Sequence, residues 1–89
     1  MSLSGDLLTE PVRWDGKRET LELLRERMPE CLSSYDPSAG VLHVRTLKKV
    51  SAKGFVHDTG IVPTGWYVIP RTCRVHGQRY AAIKPPVSP

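Results

Sequence analysis

The chain lacks most of the features by which a sequence identifies an enzyme or a membrane protein. No apolar run approaches the roughly 18 residues of a membrane span, and the seven glycines are scattered instead of gathered in a phosphate-binding loop. Asp58 is the only acidic residue after position 40, so the second half lacks the paired carboxylates of many hydrolases. These absences predict no membrane association, no nucleotide hydrolysis and no acid–base catalysis.

Cysteine is scarce as well, because Cys31 and Cys73 are the only two in the chain. Residues 1–8 have neither the basic start nor the apolar stretch of a secretory signal, so we expect reduced thiols and not a disulfide. His76 lies three residues after Cys73, but no orienting group nearby would hold it as a base, and a buried structural thiol is the favoured interpretation. The sequence therefore predicts a protein that is not an enzyme.

The side chains that could bind a metal form no recognisable pattern. The candidates are His43, His57, Asp58 and His76. No pair among them has the spacing of zinc ligands. We expect no metal and no cofactor.

Charge is distributed unevenly along the chain. Residues 1–40 carry five Lys or Arg against eight Asp or Glu, a net charge of −3, whereas residues 41–89 carry eight basic side chains against Asp58, a net charge of +7. A half-chain this basic indicates an anionic partner, such as a nucleic acid, a nucleotide or an acidic protein surface. A basic solvated sheet face that only keeps the protein soluble would give the same pattern and stays open as an alternative.

The first half of the chain predicts one short strand and one helix. Residues 12–14 are an extended segment, and residues 17–28 have helical periodicity. Asp15 or Gly16 can cap the start of this helix, and Pro29 ends it because the residue before a proline is driven out of the helical region.

The predicted helix has one apolar and one charged face. Its apolar stripe consists of Leu21, Leu23, Leu24 and Met28. On the charged face, Glu22 is four residues after Arg18 and three before Arg25, spacings at which weak surface ion pairs form. We expect this second face to be solvated.

Strands dominate the remainder of the chain. A turn over residues 35–40 leads into a strand over residues 41–47, in which the alternation points His43 and Arg45 away from the core. Residues 48–60 show no clear periodicity and predict either a long loop or a weak hairpin. Residues 66–69 are the most strand-like run, followed at once by Pro70, which must lie at a bulge, a bend or a sheet edge.

A hairpin is predicted near the C-terminus, with His76 and Gly77 as its loop. This loop would make Arg74 and Arg79 cross-strand neighbours on one face. Like charges in such positions repel, so an anion or a partner's carboxylate between them would explain the pair.

These elements predict an α+β fold, with one N-terminal helix packed on a small, mostly antiparallel and strongly twisted sheet. We expect residues 1–10 to form an N-terminal arm, residues 11–84 a single domain, and residues 85–89 an extended proline-rich tail. A sheet of about five strands with one helix leaves an open edge and a partly uncovered face. The sequence therefore predicts a homo-oligomer.

Aromatic and basic side chains are concentrated in the late part of the chain. The candidate ligand-binding residues are Tyr67, Arg71, Arg74, His76, Arg79, Tyr80 and Lys84, together with Arg45 and His43. Arginine and an aromatic face together can hold a phosphate and stack a base. Trp66 is either a core residue, the interpretation we favour, or part of the contact surface. In the first case the alternation puts Tyr67 on the opposite, exposed face. We expect the guanidinium groups to point outward together.

The order of these elements resembles a family of small uncharacterised accessory proteins of tailed bacteriophages. The likeness lies in Val12-Arg-Trp14-Asp-Gly16 before the helix, in Pro63-Thr-Gly65-Trp66-Tyr-Val-Ile69, and in Gly77-Gln-Arg-Tyr80 leading to Lys84-Pro85. The chain departs from the family pattern before Trp66, where Gly65 stands in place of an acidic residue. The resemblance implies a viral accessory protein in the host cytoplasm, of the kind that acts in host takeover or counter-defence, and it implies no reaction.

Three functional hypotheses follow. The first is a host-modulating or counter-defence binding protein that sequesters an anionic, nucleotide-like small molecule or docks on a host protein. The second is a DNA- or RNA-binding accessory protein, whose affinity must fall steeply with salt. The third is a minor structural protein of the virion.

Overall fold

The computed structural model describes residues 10–51 and 54–87, with one helix and six strands. In chain order the elements are β1 (Val12–Arg13), α1 (Arg18–Arg27), β2 (Leu32–Asp36), β3 (Val41–Ser51), β4 (Gly54–Val62), β5 (Tyr67–Thr72) and β6 (Arg79–Lys84). Residues 1–9 of the predicted arm and the last two residues of the predicted tail lie outside the described residues.

The strands form two antiparallel three-stranded sheets, ordered β1-β5-β6 and β2-β3-β4. The α+β prediction is compatible with this architecture, but the expectation of one sheet is wrong. The pairing breaks after β4, where residues 63–66 carry the chain from the second sheet to the first. The strong twist stays a prediction.

Both sheets and the helix contribute to one apolar core. Its buried members are Val12, Trp14, Leu21, Leu24, Met28, Cys31, Leu42, Val44, Val62, Val68 and Ala81. Trp14 has no exposed surface and meets Tyr35 edge to face, with 5.7 Å between ring centroids. Trp66 packs against the core but is only partly buried, so the prediction of Trp66 as a core residue is confirmed in part.

Helix α1 follows its predicted periodicity with one exception. Leu21, Leu24 and Met28 are buried, whereas Leu23 is 37% exposed and does not widen the buried stripe. Lys17 and not Asp15 is the N-cap residue, and the Asp15 carboxylate accepts the Lys17 backbone N–H at 3.0 Å. No helix of the described residues is long and apolar enough to cross a membrane.

The turn between β2 and β3 is held by Asp36. Its Oδ1 accepts the backbone N–H groups of Ser38 and Ala39 and the Ser38 hydroxyl, and these bonds lower the pKa of the carboxyl. Gly40 closes the turn at φ +70°, a left-handed conformation that glycine adopts without a steric penalty. The predicted turn is confirmed.

The segment over residues 48–60 forms a hairpin and not a loop. β3 and β4 pair from Leu42 with Val62 as far as Ser51 with Gly54. Gly60 lies at a contact between the two sheets, because a Cβ atom there would come within 2.5 Å of the Thr46 Cγ2 atom on β3 and within 2.8 Å of the Ile83 Cδ1 atom on β6. A side chain at this position would require the Thr46 and Ile83 side chains to move.

The β5–β6 hairpin follows its prediction at Pro70, which lies at an open edge, and differs from it at the turn. Pro70 lies within β5, but β1 pairs only with Tyr67 and Val68, so that edge of β5 is open at Pro70. The turn is longer than His76 and Gly77: the Cys73 N–H bonds to the Gln78 carbonyl, and four residues lie between them. Thr72 therefore pairs with Arg79, while Arg74 lies in the turn. The predicted Arg74–Arg79 cross-strand pair is wrong.

Candidate functional site

Arg45 and His57 lie on the same face of the β3–β4 hairpin. Arg45 is opposite Thr59 and Leu47 is opposite His57 in the strand register. Directly opposed residues of an antiparallel pair share a face, so Arg45 and His57 are diagonal neighbours. The register thus brings together two groups that are twelve positions apart in the sequence.

The turn between β5 and β6 lies against this face. The ring centroids of His57 and His76 are 6.4 Å apart, and those of His57 and Tyr80 are 6.5 Å apart. The Arg45 Nη2 atom donates to the Gln78 Oε1 atom at 3.2 Å, which ties β3 to the same turn. His76 and Gln78 are exposed, so the assembly opens to solvent at the turn.

Arg79 is half-buried and lacks partners for its guanidinium. Its Nε and Nη2 atoms are shielded from solvent and form no hydrogen bond with any described residue. The His57 Nε2 atom is in the same condition. We call Arg45, His57, His76 and Arg79 the basic cluster. Burying such groups without hydrogen-bond partners costs free energy. Buried groups that lack partners usually indicate a missing partner or ligand.

The electrostatics of the basic cluster are positive throughout. Burial lowers the pKa of His57, and the nearby charges of Arg45 and His76 lower it further. The thiol of Cys31 is subject to the same field: burial raises its pKa, and the positive charges of Arg79 and Arg45 oppose that rise. The guanidinium groups of Arg45 and Arg79 therefore both act electrostatically on the Cys31 thiol.

No carboxylate neutralises the basic cluster within the described residues. The two ion pairs there join Arg27 to Glu10 at 3.6 Å and Lys48 to Asp58 at 3.9 Å. Asp58 is opposite Thr46, on the other face of the β3–β4 hairpin from Arg45. The cluster can therefore accept an anion without first breaking an internal ion pair.

The structure brings together four of the nine candidate ligand-binding residues and separates the others. Arg45, His76 and Tyr80 lie near His57, and Arg79 lies with Arg45 near the Cys31 thiol. The five that lie elsewhere are Tyr67, Arg71, Arg74, Lys84 and His43.

Those five residues occupy three separate places. Tyr67 and Lys84 are opposed at the far end of the β5–β6 hairpin, Arg71 and Arg74 are exposed, and His43 lies close enough to Asp36 to lower the pKa of its carboxyl. The prediction that all the guanidinium groups point outward together is wrong for Arg79. The longer turn places Arg79 opposite Thr72, and the Arg79 Nε and Nη2 atoms are shielded from solvent.

Sequence reasoning did not assign His57 to the ligand-binding set. Its position within residues 48–60 gave no periodicity, because exposed and half-buried residues follow one another irregularly along β4. Uninterrupted pairing outward from Ser51 and Gly54 would set Leu47 opposite Asp58, but a bulge between Lys49 and Ser51 shifts the register by one residue and sets Leu47 opposite His57. Recognition of the hairpin alone would therefore have put His57 on the other face from Arg45.

The side chains considered for catalysis and metal binding give a limited arrangement. The Cys73 Sγ atom is 3.6 Å from the His76 Nδ1 atom, and Cys73 is buried. No third side chain hydrogen-bonds to His76 among residues 10–51 and 54–87. The same residues contain no group of three His, Cys, Asp or Glu side chains that could hold a metal ion.

Comparisons with known proteins leave the family of the chain undetermined. No family model matches the sequence, and no match was found among curated proteins or among solved structures. The resemblance to phage accessory proteins therefore stays a prediction, and the geometry of the basic cluster is the main observation that bears on function.

Proposed function

We propose that the protein binds a small anionic ligand carrying a phosphate group, of the nucleotide-like class, at the basic cluster. The observation that carries this proposal is the pair of shielded and unpartnered groups, the Arg79 guanidinium and the His57 Nε2 atom. A phosphate offers several acceptor oxygens to such donors, and charge-assisted bonds of this kind are about twice as strong as neutral ones. Binding of this ligand at Arg79 would satisfy donors that have no partner in the described residues of the free protein.

The surroundings of the basic cluster suit a ligand that is more than a bare phosphate. Tyr80 is half-buried beside His57, so its ring can pack against a base or another flat group. His76 and Gln78 are exposed at the mouth. We propose that a phage protein with this site would act in host modulation or counter-defence by sequestering the ligand in the host cytoplasm.

Titration calorimetry with inorganic phosphate, sulfate, AMP and cyclic dinucleotides tests this proposal. We expect wild-type protein to bind at least one of these probes and Arg79→Met to bind it at least about tenfold more weakly, since tenfold corresponds to about 1.4 kcal/mol. Arg13→Met is the matched control, because Arg13 is exposed on β1 and the variant loses the same charge. Absence of binding for every probe, or equal binding by Arg79→Met, would contradict the proposal.

A second candidate function is DNA or RNA binding, which the exposed basic side chains of the β5–β6 hairpin favour. Arg71 and Tyr80 are directly opposed on the β5–β6 hairpin, with Arg74 exposed in the turn beyond them. Here the basic side chains contact phosphates of the backbone, so affinity falls steeply as salt rises. In a gel shift, Arg71→Met would weaken nucleic-acid binding and leave small-ligand binding intact. Binding that does not depend on salt would dispose of this candidate.

A further inference from the structure

A second surface, apart from the basic cluster, has the form of a groove between α1 and β2. Two hollows of about 240 Å³ and 450 Å³ share the lining residues Leu21, Arg25 and Tyr35, so they form one continuous groove. The groove follows the helix from Arg18 to Arg25, a span of about 10 Å at 1.5 Å per residue. Three residues of extended chain cover that length.

The wall of this groove formed by β2 is an open strand edge. β2 pairs only with β3 in its sheet, and four consecutive β2 residues, 32–35, line the groove. A bulge at Ser33 interrupts the regular pairing of β2 with β3, and the other edge of β2 pairs with no strand among the described residues. Among the described residues, the backbone bonds outside the strand ladders involve none of these four. Backbone donors and acceptors of β2 therefore face the groove.

The charges that line the groove are all positive. Arg18 lines one hollow and Arg25 lines both, and no acidic side chain contributes to the walls. The expected ion pairs of both arginines with Glu22 are not formed. Leu21 lines both hollows as well, and Leu42 adds apolar surface to the first. The groove thus combines apolar walls with two cationic side chains.

We propose that this groove binds an extended acidic peptide segment of a partner protein, which adds to the edge of β2 as an extra strand. Main-chain hydrogen bonds to β2 supply affinity, as in other cases of strand addition. Carboxylates of the peptide contact Arg18 and Arg25, and an apolar peptide side chain between them rests on Leu21. The site is separate from the basic cluster and does not depend on the function proposed there.

Fluorescence polarisation with a labelled Gly-Glu-Val-Glu-Val-Glu-Gly peptide tests this proposal. We expect saturable binding by the wild-type protein, at least about tenfold weaker binding by Arg25→Glu, and no binding of the Lys-for-Glu peptide. The same acidic peptide with alternate amides N-methylated should also fail, because it lacks the strand donors. Arg25→Gln serves if circular dichroism shows that Arg25→Glu does not fold.

Three controls distinguish binding in this groove from binding elsewhere on the protein. Arg79→Met should bind the peptide like wild type, since a loss there would place the peptide at the basic cluster and overturn the proposal. Arg13→Glu should also bind normally, because its charge lies outside the groove. Amide exchange at residues 33–35 should slow on addition of peptide. If amide exchange slowed with rising protein concentration alone, the occupant would be a second copy of the chain and the proposal would be overturned. Absence of saturable peptide binding in the fluorescence experiment would refute the proposal outright.

Discussion

The apolar core and the basic cluster bury different kinds of atoms within one small fold. The core around Trp14 and Leu24 buries hydrocarbon, and its one unpartnered polar atom among the described residues is the indole nitrogen of Trp14. The cluster leaves the Arg79 guanidinium and the His57 Nε2 atom shielded without partners. Burial of hydrocarbon stabilises the fold, whereas burial of unpaired donors costs stability. Removing buried atoms should therefore lower the free energy of unfolding in the core and raise it in the basic cluster.

The largest expected effect is in the core. Trp14→Ala should lower the free energy of unfolding by about 3 to 5 kcal/mol, because it removes a fully buried ring together with its contact with Tyr35. Urea denaturation followed by circular dichroism measures the loss. Trp14→Phe should lose much less, since it keeps most of the ring and removes the unpartnered N–H. Equal losses in the two variants would show that the indole nitrogen has a partner.

A smaller effect, of opposite sign, is expected at Arg79. In the absence of ligand, Arg79→Met should unfold at a higher urea concentration than wild type, with a gain of about 1 kcal/mol, because it removes shielded donors that lack partners. The same variant should lose anion binding. A destabilised Arg79→Met would indicate that the guanidinium has a partner in the free protein, and the contrast between the two regions would then fail.

The smallest expected effect is a dependence of anion affinity on pH. Burial, Arg45 and His76 lower the pKa of His57 from its ordinary value of 6.5, and a bound anion would raise it again. Binding should therefore take up a proton, so affinity for sulfate should rise a few-fold as pH falls from about 7.5 to about 5.5.

Sulfate is the suitable probe for this pH dependence, because a phosphate ester itself titrates near pH 6. His57→Gln should flatten the profile measured by calorimetry. The sign for stability is opposite: without anion, a depressed histidine pKa makes the folded state less stable as pH falls below 6.5. A profile that is unchanged in His57→Gln would place the titrating group elsewhere.

Local features were predicted well where one segment suffices to define them. The helix follows from the spacing of Leu21, Leu24 and Met28, and the turn before β3 follows from Asp36 and Gly40. Both depend on contacts within a few residues, so a periodic pattern or a single turn residue carries the information. The uneven charge likewise indicated the sign of a partner's charge.

Features that depend on long-range pairing were missed or wrong. The division into two sheets and the position of His57 depend on how residues 42–51 pair with residues 54–62, and irregular burial along β4 hid that pairing. The hairpin turn contains two residues more than the expected loop, so Arg79 pairs with Thr72 and not with Arg74.

The sequence by itself determined the helix, the main turns and the cationic character of the second half, because these are set by neighbouring residues and by composition. Only the tertiary structure decided which cationic side chains meet. Arg45, His57 and Arg79 come from three different strands, and a shift of one residue in any register would send a side chain to the other face. Register is fixed by packing between the sheets, at contacts such as Gly60 with Ile83, which a local pattern does not contain.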